Sequence, residues 1–193
     1  MTGLQPALGA GFGCGTIVGM DSALRPRRSV LFMPGANARA LEKARSIDCD
    51  GIIIDLEDAV APDLKVEARE RTAGVVRGHP YGYREVAIRV NGMDTQWYHD
   101  DLVAAVAAGP DAIAVPKVSS AEQVRAIVAD MEAAGADKSV KLWAMIETPR
   151  AVLDCLDIAE ASDRLTVLIM GTNDLTKELR ASHVAGRAPV VTA

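Results

Sequence analysis

Apolar runs and amphipathic runs alternate along the chain from Arg27 onward, with turn residues between them. Each apolar run has the length and composition of a buried strand, and the amphipathic runs place their apolar residues on one helix face. The pattern therefore predicts strands that alternate with helices. The predicted strands cover residues 29–33, 51–56, 85–90, 112–115, 141–146 and 165–170.

Helix signals follow these strands. Ser119 stands three residues before Glu122, which is the spacing of a capping box at a helix start. Thr148 can cap a later helix, and Pro149 fits its first turn because the missing N–H is not needed there. Helical spacing then continues to Ala159. The other predicted helices cover residues 38–47, 64–76, 97–107 and 175–180.

Repeated strand–helix units predict an α/β fold with a parallel sheet. The two alternatives are an open doubly wound sheet and a TIM (β/α)₈-type barrel. The sequence contains neither G-x-G-x-x-G nor the G-x-x-x-x-G-K-[ST] phosphate loop, and polar residues follow nearly every strand, which favours the barrel. A complete barrel has eight units and about 250 residues. We therefore predict an incomplete barrel of about six units over residues 27–193, with unpaired first and last strands.

Two neighbouring predicted strands end on carboxylates. Glu147 precedes Thr148, and Asp174 follows the turn that starts at Gly171. A buried strand has no packing reason to end on an acid, although either acid could simply cap the next helix. Because the carboxyl ends of parallel strands meet at one edge of a sheet, we expect the two carboxylates to converge.

Other charged residues also occur at predicted strand ends. Burying so many charges together is costly unless a cation and an anionic ligand are bound as well. Carboxylates with water and substrate oxygens suit Mg²⁺, and the absence of His and Cys from the set disfavours zinc. We predict that the histidines are surface residues. The candidate set is Glu57, Asp58, Arg89, Lys117, Glu147 and Asp174.

The amino-acid composition argues against several classes of function. The 21 basic and 26 acidic residues give a net charge of −5 and aromatic residues make up only 4%, so we expect no nucleic-acid partner. No run of 18 apolar residues exists, so no membrane-spanning helix is predicted. The three cysteines are widely spaced, which indicates a reducing cytoplasm. The Gly-rich residues 1–26 are predicted to be a disordered N-terminal extension.

Several short motifs, in this order, together resemble the HpcH/HpaI aldolase and citrate lyase β-subunit superfamily. The greater similarity is to its CoA-ester lyase branch, which comprises citryl-CoA, malyl-CoA and citramalyl-CoA lyases. The resemblance extends from Arg27 to about Arg180. The motifs are RSVLFMPG (28–35), IDLEDAV (54–60), RVN (89–91), PK (116–117), IETPR (146–150) and GTNDL (171–175).

The resemblance implies a TIM barrel that cleaves or forms a carbon–carbon bond in a 3-hydroxyacyl-CoA thioester, with Mg²⁺ or alternatively Mn²⁺. It implies that Glu147 and Asp174 bind the metal and that Arg89 holds the substrate and its developing enolate oxygen. The expected partners are a CoA ester, a keto acid and further copies of the chain in a trimer or hexamer. The other implied site residues are Glu57 and Asp58 near the water shell of the metal, Arg28 on the CoA phosphates, and Asn173 and Lys117 beside the substrate.

Two alternatives stay open. One is a CoA-independent, pyruvate- or oxaloacetate-handling class II aldolase of the same superfamily, against which the basic pair Arg27-Arg28 argues because CoA carries phosphates. The other is a non-catalytic fragment that needs a partner chain. Lys117 could suggest a Schiff-base aldolase, but the neighbouring acids should keep its amine protonated.

Overall fold

The computed structural model describes residues 25–191 and residue 193. Its sheet has six parallel strands in the order β1 to β6, so each strand lies beside the next one in sequence. The strands are β1 (Val30–Pro34), β2 (Gly51–Asp55), β3 (Glu85–Arg89), β4 (Ala112–Val115), β5 (Lys141–Ile146) and β6 (Leu165–Met170). The helices are α1 (Ala38–Ala44), α2 (Lys65–Val76), α3 (Tyr98–Ala108), α4 (Ala121–Ala133), α5 (Pro149–Leu153), α6 (Cys155–Ala159) and α7 (Thr172–Glu178), with 3₁₀ turns at Pro62–Leu64 and Ala188–Val190.

This strand order separates the two predicted topologies. A doubly wound sheet reverses its strand order at a switch point, whereas the order here runs through without reversal, as in a barrel. Within residues 25–191, β1 pairs only with β2, and β6 pairs only with β5. The prediction of an incomplete (β/α) barrel of six units, with open first and last strands, is therefore confirmed.

The two faces of the sheet have different neighbours. Alternate strand residues such as Ile52, Ile54 and Ile88 pack with the helices in one large apolar core. The opposite, inner face is a smaller cluster made of strand residues alone, in which three alanines surround one large side chain, Trp143. Because side chains alternate between the two faces of a strand, the inner-face residues that follow this cluster lie at the carboxyl ends of the strands. The candidate residues lie at these ends. The inner cluster comprises Ile53, Ala87, Ala112, Ala114 and Trp143.

Helix starts follow local capping chemistry. Thr148 Oγ1 accepts from the Ala151 N–H at 3.1 Å and Pro149 opens α5, as predicted. The capping box before α4 is shifted by one residue from the prediction, because Ser120 rather than Ser119 accepts from the Gln123 N–H at 3.3 Å. The helix predicted to run to Ala159 is divided at Asp154 into α5 and α6.

Other boundaries differ by a few residues, and α7 begins at Thr172 rather than at residue 175. Most of the predicted N-terminal extension lies outside the described residues. Its residue Arg25 is held by Asp111, 3.1 Å from Oδ1, and by the Tyr83 carbonyl. Among the described residues, no helix combines the length and the apolar character needed to cross a membrane.

Candidate active site

A cavity of about 480 Å³ lies at the carboxyl ends of the strands. Its wall combines apolar side chains of the inner sheet face with charged side chains at the strand ends. Of the predicted site residues, Asp58, Arg89, Glu147, Asn173 and Asp174 line this cavity together. The rest of the wall is formed by Phe32, Asp55, Ala59, Met145, Ile169, Met170, Gly171 and Thr172.

Arg89 is fixed by a buried ion pair with Asp55. The two residues are direct neighbours across β2 and β3, and both are almost completely buried. Arg89 donates from Nε to Oδ1 at 2.7 Å and from Nη2 to Oδ2 at 2.6 Å, which is a bidentate arrangement. The face of Phe32 lies 5.1 Å from the guanidinium carbon. The Nη1 group is not used by Asp55 and instead donates to Met145 Sδ at 3.9 Å.

Asp55 also organises the loop that follows β2. Its two oxygens accept from the backbone N–H of Glu57 at 2.8 Å and of Ala59 at 2.9 Å. On the other side of this loop, the buried Lys65 ammonium donates to the carbonyls of Leu56 and Glu57 at 2.8 and 2.7 Å. Burial lowers the pKa of Lys65, and the nearby carboxylates of Asp55 and Glu57 partly offset that effect. The loop is thus held from both sides.

Glu57 lies behind Arg89 rather than in the cavity wall. Its Oε2 is 2.8 Å from Arg89 Nη1 but off the N–H direction, so this buried oxygen has an ion-pair contact and no hydrogen bond within the described residues. Burial raises the pKa of Glu57 to about 7; Arg89 opposes the rise, and Asp58 and Glu147 add to it. Asp58 is 66% exposed and reaches to 3.8 Å from Arg89 Nη1.

Lys117 links Glu57 with Glu147. Its Nζ is 3.6 Å from Glu57 Oε1, and its backbone N–H donates to Glu147 Oε2 at 2.9 Å. Lys117 adopts a left-handed backbone with φ of 56°, which is uncommon for a residue with a side chain. Burial lowers its pKa, but the surrounding carboxylates, Glu57 first, outweigh this, and the net pKa is raised. A protonated amine is unsuited to a Schiff base.

Glu147 is buried at the end of β5 and lines the cavity together with Asp174. Burial raises the pKa of Glu147; the N–H of Lys117 opposes the rise, while the charge of Asp174 adds to it. Gly171 lies against this carboxyl group, and a Cβ at position 171 would overlap with Glu147 Oε1. The close approach of the β6–α7 turn to Glu147 therefore requires glycine.

These donors fit a hard divalent cation. Two carboxylates, Glu147 and Asp174, line one cavity, the charge of Asp174 adds to the raised pKa of Glu147, and a third carboxylate, Glu57, has a buried oxygen without a hydrogen bond among the described residues. No group of three or more His, Cys, Asp or Glu side chains in that part of the chain could hold a metal by itself. Mg²⁺ commonly uses one or two carboxylates and completes its shell with water and substrate oxygens. Glu147 and Asp174 could hold such an ion.

Arg28 is not brought to this cavity. It precedes β1 and therefore lies at the amino edge of the sheet, where its guanidinium donates to Asp50 at 2.6 and 3.0 Å. These hydrogen bonds lower the pKa of Asp50 to about 2. Arg27 lies at the same edge and forms an ion pair with Glu85, with 2.6 Å between Nε and Oε2. The basic pair that favoured CoA in the sequence thus lies away from the candidate site.

Sequence reasoning missed Asp55 and Lys65. Asp55 was assigned to the strand interior, yet an acid on the inner face of β2 opposite an arginine in β3 was a usable signal. Lys65 carried no signal, because its role depends on two backbone carbonyls that only the folded loop presents.

The sequence of this chain is similar to those of known proteins. The family model for HpcH/HpaI aldolase/citrate lyase matches residues 28–193. A (3S)-malyl-CoA thioesterase of Cereibacter sphaeroides is 50% identical over 160 residues, which are 83% of this chain and 54% of that protein. The citrate lyase subunit beta of Escherichia coli is 35% identical over 164 residues, covering 82% and 54% of the two chains. The chain thus spans about half the length of the curated relatives it matches.

Solved structures show the same fold. The CitE protein of Mycobacterium tuberculosis in complex with magnesium, acetoacetate and coenzyme A has a TM-score of 0.66 and 27% identity, over 81% of this chain and 54% of that one. RipC from Yersinia pestis has a TM-score of 0.65 and 29% identity, over 84% and 65%.

We expect Asp55→Asn to lower the free energy of unfolding by about 3 kcal/mol or more, because it removes the bidentate partner of the buried Arg89 charge. Urea unfolding followed by circular dichroism measures the change. Asp58→Asn is the matched control, since this exposed carboxyl lies in the same loop. Equal stability of the two variants would contradict the structural role of the Asp55–Arg89 pair.

We expect Gly171→Ala to keep the fold and to displace the flexible Glu147 carboxyl group. The affinity for Mg²⁺, measured by calorimetry, should fall while the unfolding midpoint changes little. Gly74→Ala is the control, because a Cβ at this exposed helix position meets nothing within 4 Å. Unchanged Mg²⁺ affinity in Gly171→Ala would separate Glu147 from cation binding.

Proposed function

The chain belongs to the HpcH/HpaI aldolase/citrate lyase family, and from that premise we propose that it carries the active site of a Mg²⁺-dependent carbon–carbon lyase acting on a 3-hydroxyacyl-CoA thioester. The observation that carries the proposal is the shared cavity, in which a fixed arginine faces two strand-end carboxylates. The relatives whose names mention malyl-CoA and citrate lyase support this substrate class.

Arg89 is proposed to bind the thioester carbonyl. Cleavage leaves an acetyl-CoA-type enolate, and a guanidinium aimed at its oxygen stabilises the developing charge. Asp55 binds Nε and Nη2, so Nη1, which contacts Glu57 and Met145, is the nitrogen proposed to reach the thioester carbonyl. Arginine suits this role since it stays charged and its planar fork is held rigidly by the Asp55 pair. Phe32 and Met145 form an apolar part of the cavity wall beside this group.

Glu147 and Asp174 are proposed to hold the divalent cation. When bound, Mg²⁺ or alternatively Mn²⁺ would supply Lewis-acid stabilisation of charge on the keto-acid fragment. Asp58, which is exposed and lines the cavity, is proposed to contact substrate or water. Glu57 is assigned a positioning role, because it contacts Arg89 and Lys117 from behind. Asn173 is proposed to contact the substrate from the opposite wall.

A second activity, thioester hydrolysis, is favoured by one observation. The relatives named thioesterases are 49–50% identical to this chain, whereas those named citrate lyase subunit beta are 33–36% identical. Hydrolysis also develops negative charge on the thioester carbonyl oxygen, so the same Arg89 Nη1 would serve it. The two reactions differ in whether the carbon–sulfur bond or a carbon–carbon bond breaks.

The remaining parts of the proposal concern assembly and location. The family resemblance implies a homo-oligomer, trimeric or hexameric. The cytoplasmic location is proposed separately, from the wide spacing of the three cysteines. The CoA-independent aldolase and a fragment that requires a partner chain are the competing assignments. Activity with free keto acids but not with CoA esters would favour the first, and an aggregated or unfolded isolated chain would favour the second.

We expect Asp174→Asn to reduce turnover of a malyl-CoA, citramalyl-CoA and citryl-CoA panel by roughly 100-fold or more, as losing one charge-stabilising group does. Wild-type turnover should also stop in EDTA and return with Mg²⁺. Asp157→Asn, an exposed acid on α6, is the control. Full wild-type activity in EDTA, or in Asp174→Asn, would refute the metal-dependent proposal.

Product analysis distinguishes the two activities. If the carbon–carbon bond breaks, we expect an intact acetyl-CoA-type thioester and a free keto or aldehyde acid, without release of thiol. Hydrolysis would release free CoA thiol, which a colorimetric thiol reagent detects. Thiol release at the rate of substrate loss would replace the lyase assignment by the thioesterase one.

A further inference from the structure

A buried polar network lies between the helices and the loop that carries Glu57 and Asp58. We call residues 56–60 the β2 loop. Four side chains from three parts of the fold form the network, and they lie outside the wall of the main cavity. Three of the four are almost completely buried. The network consists of Lys65 and Arg69 of α2, Asn91 after β3, and Asp101 of α3.

The network reaches the β2 loop at the carbonyl of Leu56. This oxygen accepts hydrogen bonds from Lys65 Nζ at 2.8 Å and from Asn91 Nδ2 at 2.9 Å. Lys65 Nζ also donates to the Glu57 carbonyl at 2.7 Å. Two consecutive carbonyls of the loop are therefore bound by side chains that belong to other parts of the fold.

Asn91 is oriented by the carboxylate of Asp101. Its side-chain amide uses both N–H groups, one toward Leu56 and one toward Asp101 Oδ2, and its backbone N–H donates to the same Oδ2 at 3.2 Å. Asp101 Oδ1 accepts from Arg69 Nε at 2.7 Å, and this guanidinium offsets the cost of burying the Asp101 charge. The hydrogen bonds therefore fix the amide of Asn91 in the direction of Leu56.

Lys65 carries a buried charge that is not in contact with a carboxylate. Among the ion pairs formed within residues 25–191, none involves its ammonium group. The ring centre of Trp97 lies 5.3 Å from Nζ. Burying an ammonium group costs free energy, so an apolar side chain of similar length would serve packing better. What the charge adds at this position is its pair of hydrogen bonds to the β2 loop.

The path of the β2 loop determines where the Glu57 carboxyl group lies. Glu57 Oε2 is 2.8 Å from Arg89 Nη1, and Glu57 Oε1 is 3.6 Å from Lys117 Nζ. Asp55 binds the N–H groups of the loop, whereas Lys65 and the amide after β3 bind its carbonyls. A loop released on the carbonyl side would therefore carry Glu57 away from Arg89.

We propose that Lys65 and Asn91 are positioning residues for the reaction at this site, an inference that rests on the proposed function. By binding the carbonyls of the β2 loop, they keep Glu57 against Arg89 and so keep the guanidinium where the enolate oxygen develops. Stabilisation of a developing charge depends strongly on geometry, so a small displacement lowers turnover. An interaction that acts mainly in the transition state affects kcat rather than KM.

The test compares Lys65→Met with the wild-type chain on the malyl-CoA, citramalyl-CoA and citryl-CoA panel. Methionine is similar in length and removes both hydrogen bonds to the loop. We expect kcat to fall by about tenfold to 100-fold, while KM and the Mg²⁺ affinity measured by calorimetry stay at the wild-type values. Lys65→Arg keeps N–H donors and should recover part of the lost kcat. Hydrogen exchange of the β2-loop amides, followed by mass spectrometry, should be faster in Lys65→Met.

Val76→Ala is the control for general destabilisation. Val76 is buried at the other end of the same helix, so its truncation should lower the unfolding midpoint without releasing the β2 loop. This variant should keep the wild-type kcat and the wild-type exchange of the loop. Asn91→Ala removes one of the two donors to Leu56 and should lower kcat as Lys65→Met does. It decides the question if Lys65→Met does not fold.

The outcomes separate this inference from the proposed function. Wild-type kcat in Lys65→Met or, where that variant does not fold, in Asn91→Ala overturns the positioning role and leaves the lyase proposal standing. A loss of kcat that Val76→Ala reproduces, or that occurs without faster exchange in the β2 loop, has the same meaning. A wild-type chain that turns over none of the three esters, by carbon–carbon cleavage or by hydrolysis, overturns the proposed function and this inference with it.

Discussion

The candidate site depends on one buried ion pair between neighbouring strands. A guanidinium inside a protein is tolerated only when a carboxylate and hydrogen bonds compensate its lost hydration. Asp55 provides both to Arg89, and it uses the same two oxygens to bind the backbone of the loop after β2. The orientation of the guanidinium and the path of that loop are therefore set together. A change in either one would move Glu57 and Asp58 as well.

Around this pair, the site holds more carboxylates than Arg89 and Lys117 can neutralise. The raised pKa of Glu57, to about 7, and the raised pKa of Glu147 both follow from burial and from neighbouring acids. A bound divalent ion would relieve this repulsion, so crowding of carboxylates that is unfavourable without a cation favours metal binding. Gly171 makes the crowding sterically feasible, because it lets the turn after β6 lie directly on the Glu147 carboxyl group.

Much of this could be predicted from the sequence. The strands are strongly apolar, so their positions were correct to within a residue or two, and the strand-end rule brought Glu147 and Asp174 to one cavity. The prediction for Arg28 did not follow this rule. Arg28 precedes β1, so it lies at the amino edge of the sheet, opposite to the candidate site. The observed cap of α4 is Ser120 rather than the predicted Ser119. The two serines are adjacent, and local spacing alone cannot tell which one caps the helix. Lys65 depends on backbone carbonyls, whose directions no residue pattern encodes.

The inner face of the sheet has a spectroscopic consequence. Trp143 fills the space left by the surrounding alanines, and it borders a crevice lined by Val30 of β1 and Val167 of β6. Its indole N–H is buried without a hydrogen bond in the described part of the chain. In a Trp97→Phe background, where this indole is the one remaining tryptophan, its fluorescence emission should respond to a change in the spacing of the first and sixth strands, without an attached dye.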